Sequence, residues 1–185
     1  YAPGQPDLST LMADFASRQK TADGSLAIDS LLLPVGGESL RSLTAVLSQH
    51  GLSNKRLRLL GTGLWDDATA LGDPALIGGG VAAPDPKARR DFEQRYQQNF
   101  GGIPPRLATL AYDATALAAV LARTDTTGEP YSRNRMTAGR GFAGIDGVFR
   151  FRGDGLAERG LAVLEIRGGS ASVIDPAPTA FGSGS

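Results

Sequence analysis

Few residues of this chain could do chemistry. There is one histidine, His50, and no cysteine, which excludes thiol catalysis, disulfides and Cys-ligated metals. His50 ends a helical run just before Gly51, where an imidazole meets the last carbonyls and the negative end of the helix dipole. A Ser-His-Asp triad would have to use it, and no Gly-x-Ser-x-Gly turn accompanies it. Asp66-Asp67 could be a carboxylate pair or metal ligands, but directly before Ala68-Thr69-Ala70-Leu71 they read as an N-cap and first-turn charge. Gly61-Thr62-Gly63 lacks the Gly-Lys-Ser/Thr of a phosphate loop and the third glycine of a dinucleotide fingerprint. Gly78-Gly79-Gly80 sits inside an apolar run with no helix start after it. Both glycine groups read as places where the backbone comes close to something. The sequence thus predicts no catalytic residue, no metal site and no cofactor, and the chain is read as a non-enzyme.

Trp65 is the one tryptophan and follows a Gly-rich strand end. It has two readings: an aromatic at a cleft rim that stacks on a ligand, or a ring packed beneath the next helix.

Elements must position these groups. Leu8, Leu11, Met12 and Phe15 give the first helix an apolar face, capped by Asp7 or Ser9 after an extended lead-in over residues 1–7. Residues 26–33 form an apolar run ended by Pro34-Val35-Gly36-Gly37, the pattern of a parallel strand buried on both faces. Residues 38–50 return to helical spacing through Leu40, Leu43, Val46 and Leu47. A second strand follows over 56–60, and an apolar patch over 75–83 ends at Pro84. Strands alternating with helices predict an α/β fold with an open, mostly parallel sheet, flanking helices and right-handed crossovers. Sites in such sheets form at the carboxyl edge of the strands. Val35, Gly36, Thr62, Trp65, Asp66 and Ala83 each stand at or just after a strand end, and these are the expected ligand-binding residues. Glu38 or Asp67 could replace Asp66 as the carboxylate that holds a ligand ammonium.

Phe92, Tyr96 and Phe100 recur on one helical face, Gly101-Gly102 ends that helix, and Pro104-Pro105 starts the next. From Arg106 to Arg123 the chain is Ala- and Leu-rich, a helix buried on most sides whose one interior charge, Asp113, needs a partner. If the chain is one part of a longer fold, the apolar surface of Leu107, Leu110, Leu117, Val120 and Leu121 on this helix exceeds what it can cover. After a polar stretch with a short helix near residues 132–138, the alternating run 147–152, the turn Gly153-Asp154-Gly155 and the run 161–166 predict a β-hairpin or meander, with a further strand over 170–174. Arg150 and Arg152 read as the solvated face of a strand, with a polyanion-binding surface as the alternative.

The run from Asp91 through Phe100-Gly101, Pro104-Pro105 and Ala111-Tyr112-Asp113-Ala114, followed by the Gly141-to-Gly153 hairpin, resembles the type I periplasmic binding proteins of the Leu/Ile/Val-binding branch. The resemblance implies two α/β lobes closing on a small ligand such as an amino acid, delivery to an ABC permease by hinge closure, and a periplasmic location. It also implies that this chain is the carboxyl-terminal half of a longer protein. Gly61 to Asp67 resembles the penicillin-binding-protein activators as well, which implies the alternative of a lipid-anchored protein regulating a cell-wall synthase. The expected organisation is a part of the ligand-binding lobe over 1–84, a helical segment crossing to the other lobe over 85–141, a terminal β-hairpin returning to the lobe over 142–176, and a disordered tail over 177–185.

Composition agrees. Nineteen basic and nineteen acidic residues balance, which argues against nucleic acid or an anionic membrane as main partner. No apolar run is long enough to span a membrane.

Overall fold

A computed structural model describes residues 8–182. The expected lead-in over 1–7, its Asp7 cap and the tail from residue 183 lie outside the described residues. The described chain forms two compact units, residues 8–83 with 163–175 and residues 84–162 with 176–182. In this division residues 142–162 fall in the second unit and residues 163–175 in the first.

The first unit holds helices α1 (Leu8–Arg18), α2 (Gly37–Gln49) and α3 (Ala68–Leu71), with short 3₁₀ turns at Gly63–Trp65 and Pro74–Leu76. Strands β1 (Ser30–Leu32), β2 (Arg58–Gly61) and β3 (Gly80–Ala83) are mutually parallel, with Leu32 opposite Leu60 and Gly61 opposite Val81. The local sequence dictates these helix starts. Asp67 caps α3 by accepting from the N–H groups of Thr69 and Ala70 at 2.7 and 3.0 Å, and Asp73 caps the next turn from Ala75 N–H at 2.9 Å. Two strands from the end of the chain, β7 (Ala162–Ile166) and antiparallel β8 (Ala171–Asp175), complete the sheet in the order β1-β2-β3-β7-β8.

The expectation of strands buried on both faces is corrected here, since burial alternates. Leu59, Val81, Leu164 and Ile166 are buried, while Arg58, Ala82 and Val163 between them are exposed. The reason is topological. The steps β1 to β2 and β2 to β3 run in one direction, so right-handed crossovers place α2 and the α3 segment on the same face. That face carries the core, with Leu40, Leu47, Trp65 and Leu76 at most 2% exposed. On the other face Arg58 reaches across β3 to Glu165 at 3.4 Å.

The second unit holds α4 (Pro86–Phe100), α5 (Ala108–Arg123), α6 (Arg133–Met136) and a three-stranded antiparallel sheet of β4 (Phe142–Gly144), β5 (Gly147–Phe151) and β6 (Ala157–Arg159). Asp85 caps α4 from Lys87 N–H at 2.8 Å, Pro86 takes its first turn, and Gly101 ends it with φ 76°. Phe92, Tyr96 and Phe100 form a ladder along α4, joined edge-on by Tyr112 of α5 at 5.4 Å from Phe92.

Two further expectations change. The partner of β5 is not the run 161–166. Arg152 N–H closes the Gly153-Asp154-Gly155 turn onto Leu156 O at 2.8 Å, so the chain pairs at once and Phe151 lies opposite Ala157. Residues 162–166 are thereby released to the first unit. Nor is α5 buried on most sides. Its buried residues are Thr109, Asp113 and Leu121, while Leu107, Leu110, Tyr112 and Val120 are exposed and Leu117 is half-buried. Asp113 finds its partner in the β4–β5 turn: Ile145 N–H donates to its carboxylate at 2.8 Å, and the Arg159 guanidinium stands 4.0 Å away. Asp146 of the same turn accepts from Thr109 Oγ1 at 2.8 Å and pairs with Arg106 at 3.3 Å. Arg150 pairs with Glu158 at 2.8 Å and Arg152 with Asp154 at 2.7 Å.

Candidate ligand-binding edge

The parallel register brings the carboxyl ends of β1, β2 and β3 to one edge of the first unit. Three connections leave from it: residues 34–36, 62–66 and 84–85. Strand backbones stop pairing there, and donors and acceptors become available to something other than the sheet.

The first two connections are in contact. The indole N–H of Trp65 donates to Val35 O at 3.1 Å. Gly36 lies so close to Leu64 that a Cβ on it would stand 2.8 Å from the Leu64 carbonyl oxygen. Gly36 is the N-cap of α2, extended at φ −138° and ψ 179°, and no side chain caps that helix start. Thr62 plays the same part for the 3₁₀ turn, its hydroxyl accepting from Leu64 N–H at 3.4 Å. Asp66 closes that turn through its own N–H to Gly63 O at 3.2 Å and is half-buried.

Of the two readings of Trp65, the structure has the packed one. The ring is 0% exposed and fills a slot left open by glycines: a Cβ at Gly61 would stand 2.1 Å from the indole, and one at Gly79 3.1 Å. Of the glycines read in the sequence as close approaches, Gly61 and Gly79 form the floor of the Trp65 site, while Gly63 and Gly78 have open space where a Cβ would stand. Ala83, which ends β3 at this edge, is likewise buried at 1% exposed. Neither side chain offers surface to a ligand in this structure. Val35, Gly36, Thr62 and Asp66 are half-buried at the edge.

Sequence reasoning missed Leu64, which is 57% exposed. Within Gly63–Trp65 neighbouring residues point in different directions, so burying Trp65 turns Leu64 outward. The signal was present in the glycines: a ring that needs Gly61 and Gly79 beneath it points into the sheet, and the residue before it points away.

Asp67 caps α3, and Asp66 stands half-buried beside it at the edge. Glu38, in the first turn of α2, is exposed and pairs with Arg41 at 3.6 Å. His50 ends α2 through its backbone N–H, which bonds to the Val46 and Leu47 carbonyls, but its ring does not serve the helix end as expected: Nε2 lies 3.4 Å from Ser9 Oγ of α1. Among the described residues no helix is long and apolar enough to cross a membrane.

A family model described as a periplasmic binding protein matches residues 1–171. None of the curated proteins matches the sequence. Among solved structures, the chain is similar to a Rhodospirillum rubrum protein assigned to branched-chain amino acid ABC transport, with a TM-score of 0.73 at 22% identity, covering 93% of this chain and 49% of that one. It is similar to the leucine-binding protein LivK of Thermotoga maritima, with a TM-score of 0.60 at 19% identity over 94% of this chain and 49% of that one. A third is LivJ of Streptococcus pneumoniae in complex with isoleucine, with a TM-score of 0.58 at 16% identity over 95% and 51%. The chain thus spans about half the length of the structures it matches.

Proposed function

From the premise that this chain belongs to the periplasmic binding protein family, a family of binding proteins rather than enzymes, we propose that it forms part of the capture protein of an ABC-type transporter. In this reading it contributes one wall of a cleft that closes on a small polar solute such as an amino acid and presents it to a permease in the periplasm. One observation carries the reading: the carboxyl edge of the parallel sheet gathers Val35, Gly36, Thr62, Leu64 and Asp66 over a rigid floor made by Trp65 and its glycines.

The parts of this edge suit an amphiphilic solute. Leu64 offers apolar area. Asp66 would accept from an ammonium, a charge-assisted contact stronger than a neutral one. The N–H groups at the start of α2 and the Thr62 hydroxyl supply polar contacts without needing movement. Trp65 and Ala83 act from below, by holding the loops in register. The matched structures named for leucine and isoleucine support an aliphatic amino acid as the first solute to try.

A second reading, regulation of a cell-wall synthase by a lipid-anchored protein, rests on the resemblance of Gly61 to Asp67 to the penicillin-binding-protein activators. Thermal denaturation of the complete protein against an amino-acid panel separates the two. A captured solute at 100 times its dissociation constant stabilises the fold by roughly 2.7 kcal/mol. No shift with any member of the panel would count against capture and in favour of regulation.

A further inference from the structure

The chain passes from one unit to the other at 83–84, 162–163 and 175–176. The first two passages are flanked by hydrogen-bonded elements on either side, β3 and the capped start of α4 at one, β6 and β7 at the other. The third is held differently. β8 pairs with β7 up to Asp175, and residues 176–182 then join the second unit without forming a helix or strand.

Two side chains fasten that run. The ring of Pro178 lies on Gly160, where a Cβ would stand 2.6 Å from Pro178 Cγ and 2.8 Å from Val148 Cγ2. Gly160 is not among the glycines with positive φ, so what its missing side chain provides is room for the proline. The ring of Phe181 lies on Gly141, where a Cβ would stand 2.9 Å from Phe181 Cδ2. The Arg150 guanidinium stacks on that ring at 4.5 Å from its centre. Arg150 is itself fixed, donating from Nε to Glu158 at 2.8 Å and from Nη1 to Gly139 O at 3.1 Å. Val148 and Arg150 alternate with Phe149 along β5, so the run crosses the sheet face opposite the one that carries Phe149.

We propose that residues 176–182 are a releasable strap, a third tether between the units that attaches through Phe181 and detaches without breaking any strand pairing. Pro176 and Pro178 fix φ along the run, so it loses little chain entropy when it docks. One half-buried ring under one cation is a weak fastening. Together these suit a contact that opens and closes while both units stay folded. Docked, the strap ties the end of β8 to the second unit and narrows the range of arrangements the two units visit. Released, it leaves the other two passages to do so. Its contacts all lie within the second unit, so the inference does not depend on the solute assigned to the edge of the first.

Spin labels on cysteines placed at Gln49 in α2 and Gln98 in α4, both exposed, report the spread of distances between the units in the complete protein. This chain adds no cysteine of its own. Phe181→Ala should widen the distance distribution, and Phe181→Tyr, which keeps the ring on Gly141, should retain the parent width. The Gly141 α-proton that points at the ring reads docking in the same variants by NMR: its resonance should shift in Phe181→Ala and stay near its parent position in Phe181→Tyr. An unmoved Gly141 resonance in Phe181→Ala overturns the docked strap. A moved resonance with an unchanged distance distribution overturns its action as a tether, and so does equal widening in Phe181→Tyr.

Discussion

The two units are held together by different physics. In the first, an apolar interior closes on itself, with Leu47, Leu52, Trp65, Leu76 and Ile166 at 0% exposed. In the second the buried apolar set is small, Phe92, Leu121, Val148, Phe149 and Ala162, and the joint between α5 and the β4–β5 turn is polar, made by Asp113, Thr109, Asp146 and Arg106. That unit also leaves Phe100, Ile103 and Leu107 at least 70% exposed, and an apolar groove of about 470 Å³ runs between α4 and α5 along Phe92, Tyr96, Phe100 and Tyr112. A unit that buries its apolar residues sets its own geometry. One that is stitched by hydrogen bonds and keeps apolar area outside has surface to give to other chain.

The largest expected effect falls on the first unit. Trp65→Ala empties a fully buried ring site and should cost about 3 to 5 kcal/mol of folding stability, read by chemical denaturation. A loss below about 1 kcal/mol would mean that the ring is not part of the core and would blur the contrast between the units. Asp113→Ala should cost less, about 1 to 3 kcal/mol, by leaving the Ile145 N–H without its acceptor and the Arg159 guanidinium without its nearby carboxylate. Asp113→Asn keeps an oxygen for Ile145 and should recover part of that loss. Equal losses for Ala and Asn would shift the weight from the backbone hydrogen bond to the Arg159 pairing.

The sequence showed the first unit better than the second. Alternation of strand and helix, the Asp67 cap and the glycine stops were legible because each depends on neighbours within a few residues. Trp65 remained open because its burial depends on Gly79, brought next to it by strand pairing at long range. The second unit hid its logic for the same reason. The Gly153-Asp154-Gly155 turn was visible, but whether β5 would pair with residues 157–159 or with 162–166 depends on which sheet claims the later run. The exposed face of α5 was foreseen as surplus apolar surface, while the residues that anchor its other side, Asp146 and Ile145, carry no periodic signal.

The smallest expected effect is local. Asp23 accepts from Thr21 Oγ1 and from the Ser25 N–H and hydroxyl, and these bonds lower its carboxyl to a pKa of about 2, below the usual carboxylate range. A depressed carboxyl contributes stability above its unfolded pKa and loses it as pH falls through the folded one. The turn at 21–25, closed by the Lys20–Leu26 bridge, should therefore loosen as pH drops from about 4 to about 2, seen as faster amide exchange at Ser25. Loosening already at pH 5 would contradict this origin. Because the group is fully exposed, neither unit as a whole should respond.

The central claim, that the carboxyl edge of the first unit faces the solute, is tested most directly by two leucines of equal exposure. Leu64 at the edge and Leu32 on the open sheet face are each 57% exposed. Calorimetric titration of the complete protein with L-leucine and L-isoleucine should show Leu64→Ala weakening binding by about tenfold, roughly 1.4 kcal/mol of lost apolar contact. Leu32→Ala should leave the dissociation constant unchanged, whatever it does to stability. Equal effects of the two substitutions, or an unchanged affinity in Leu64→Ala, would contradict the assignment of this edge to the solute.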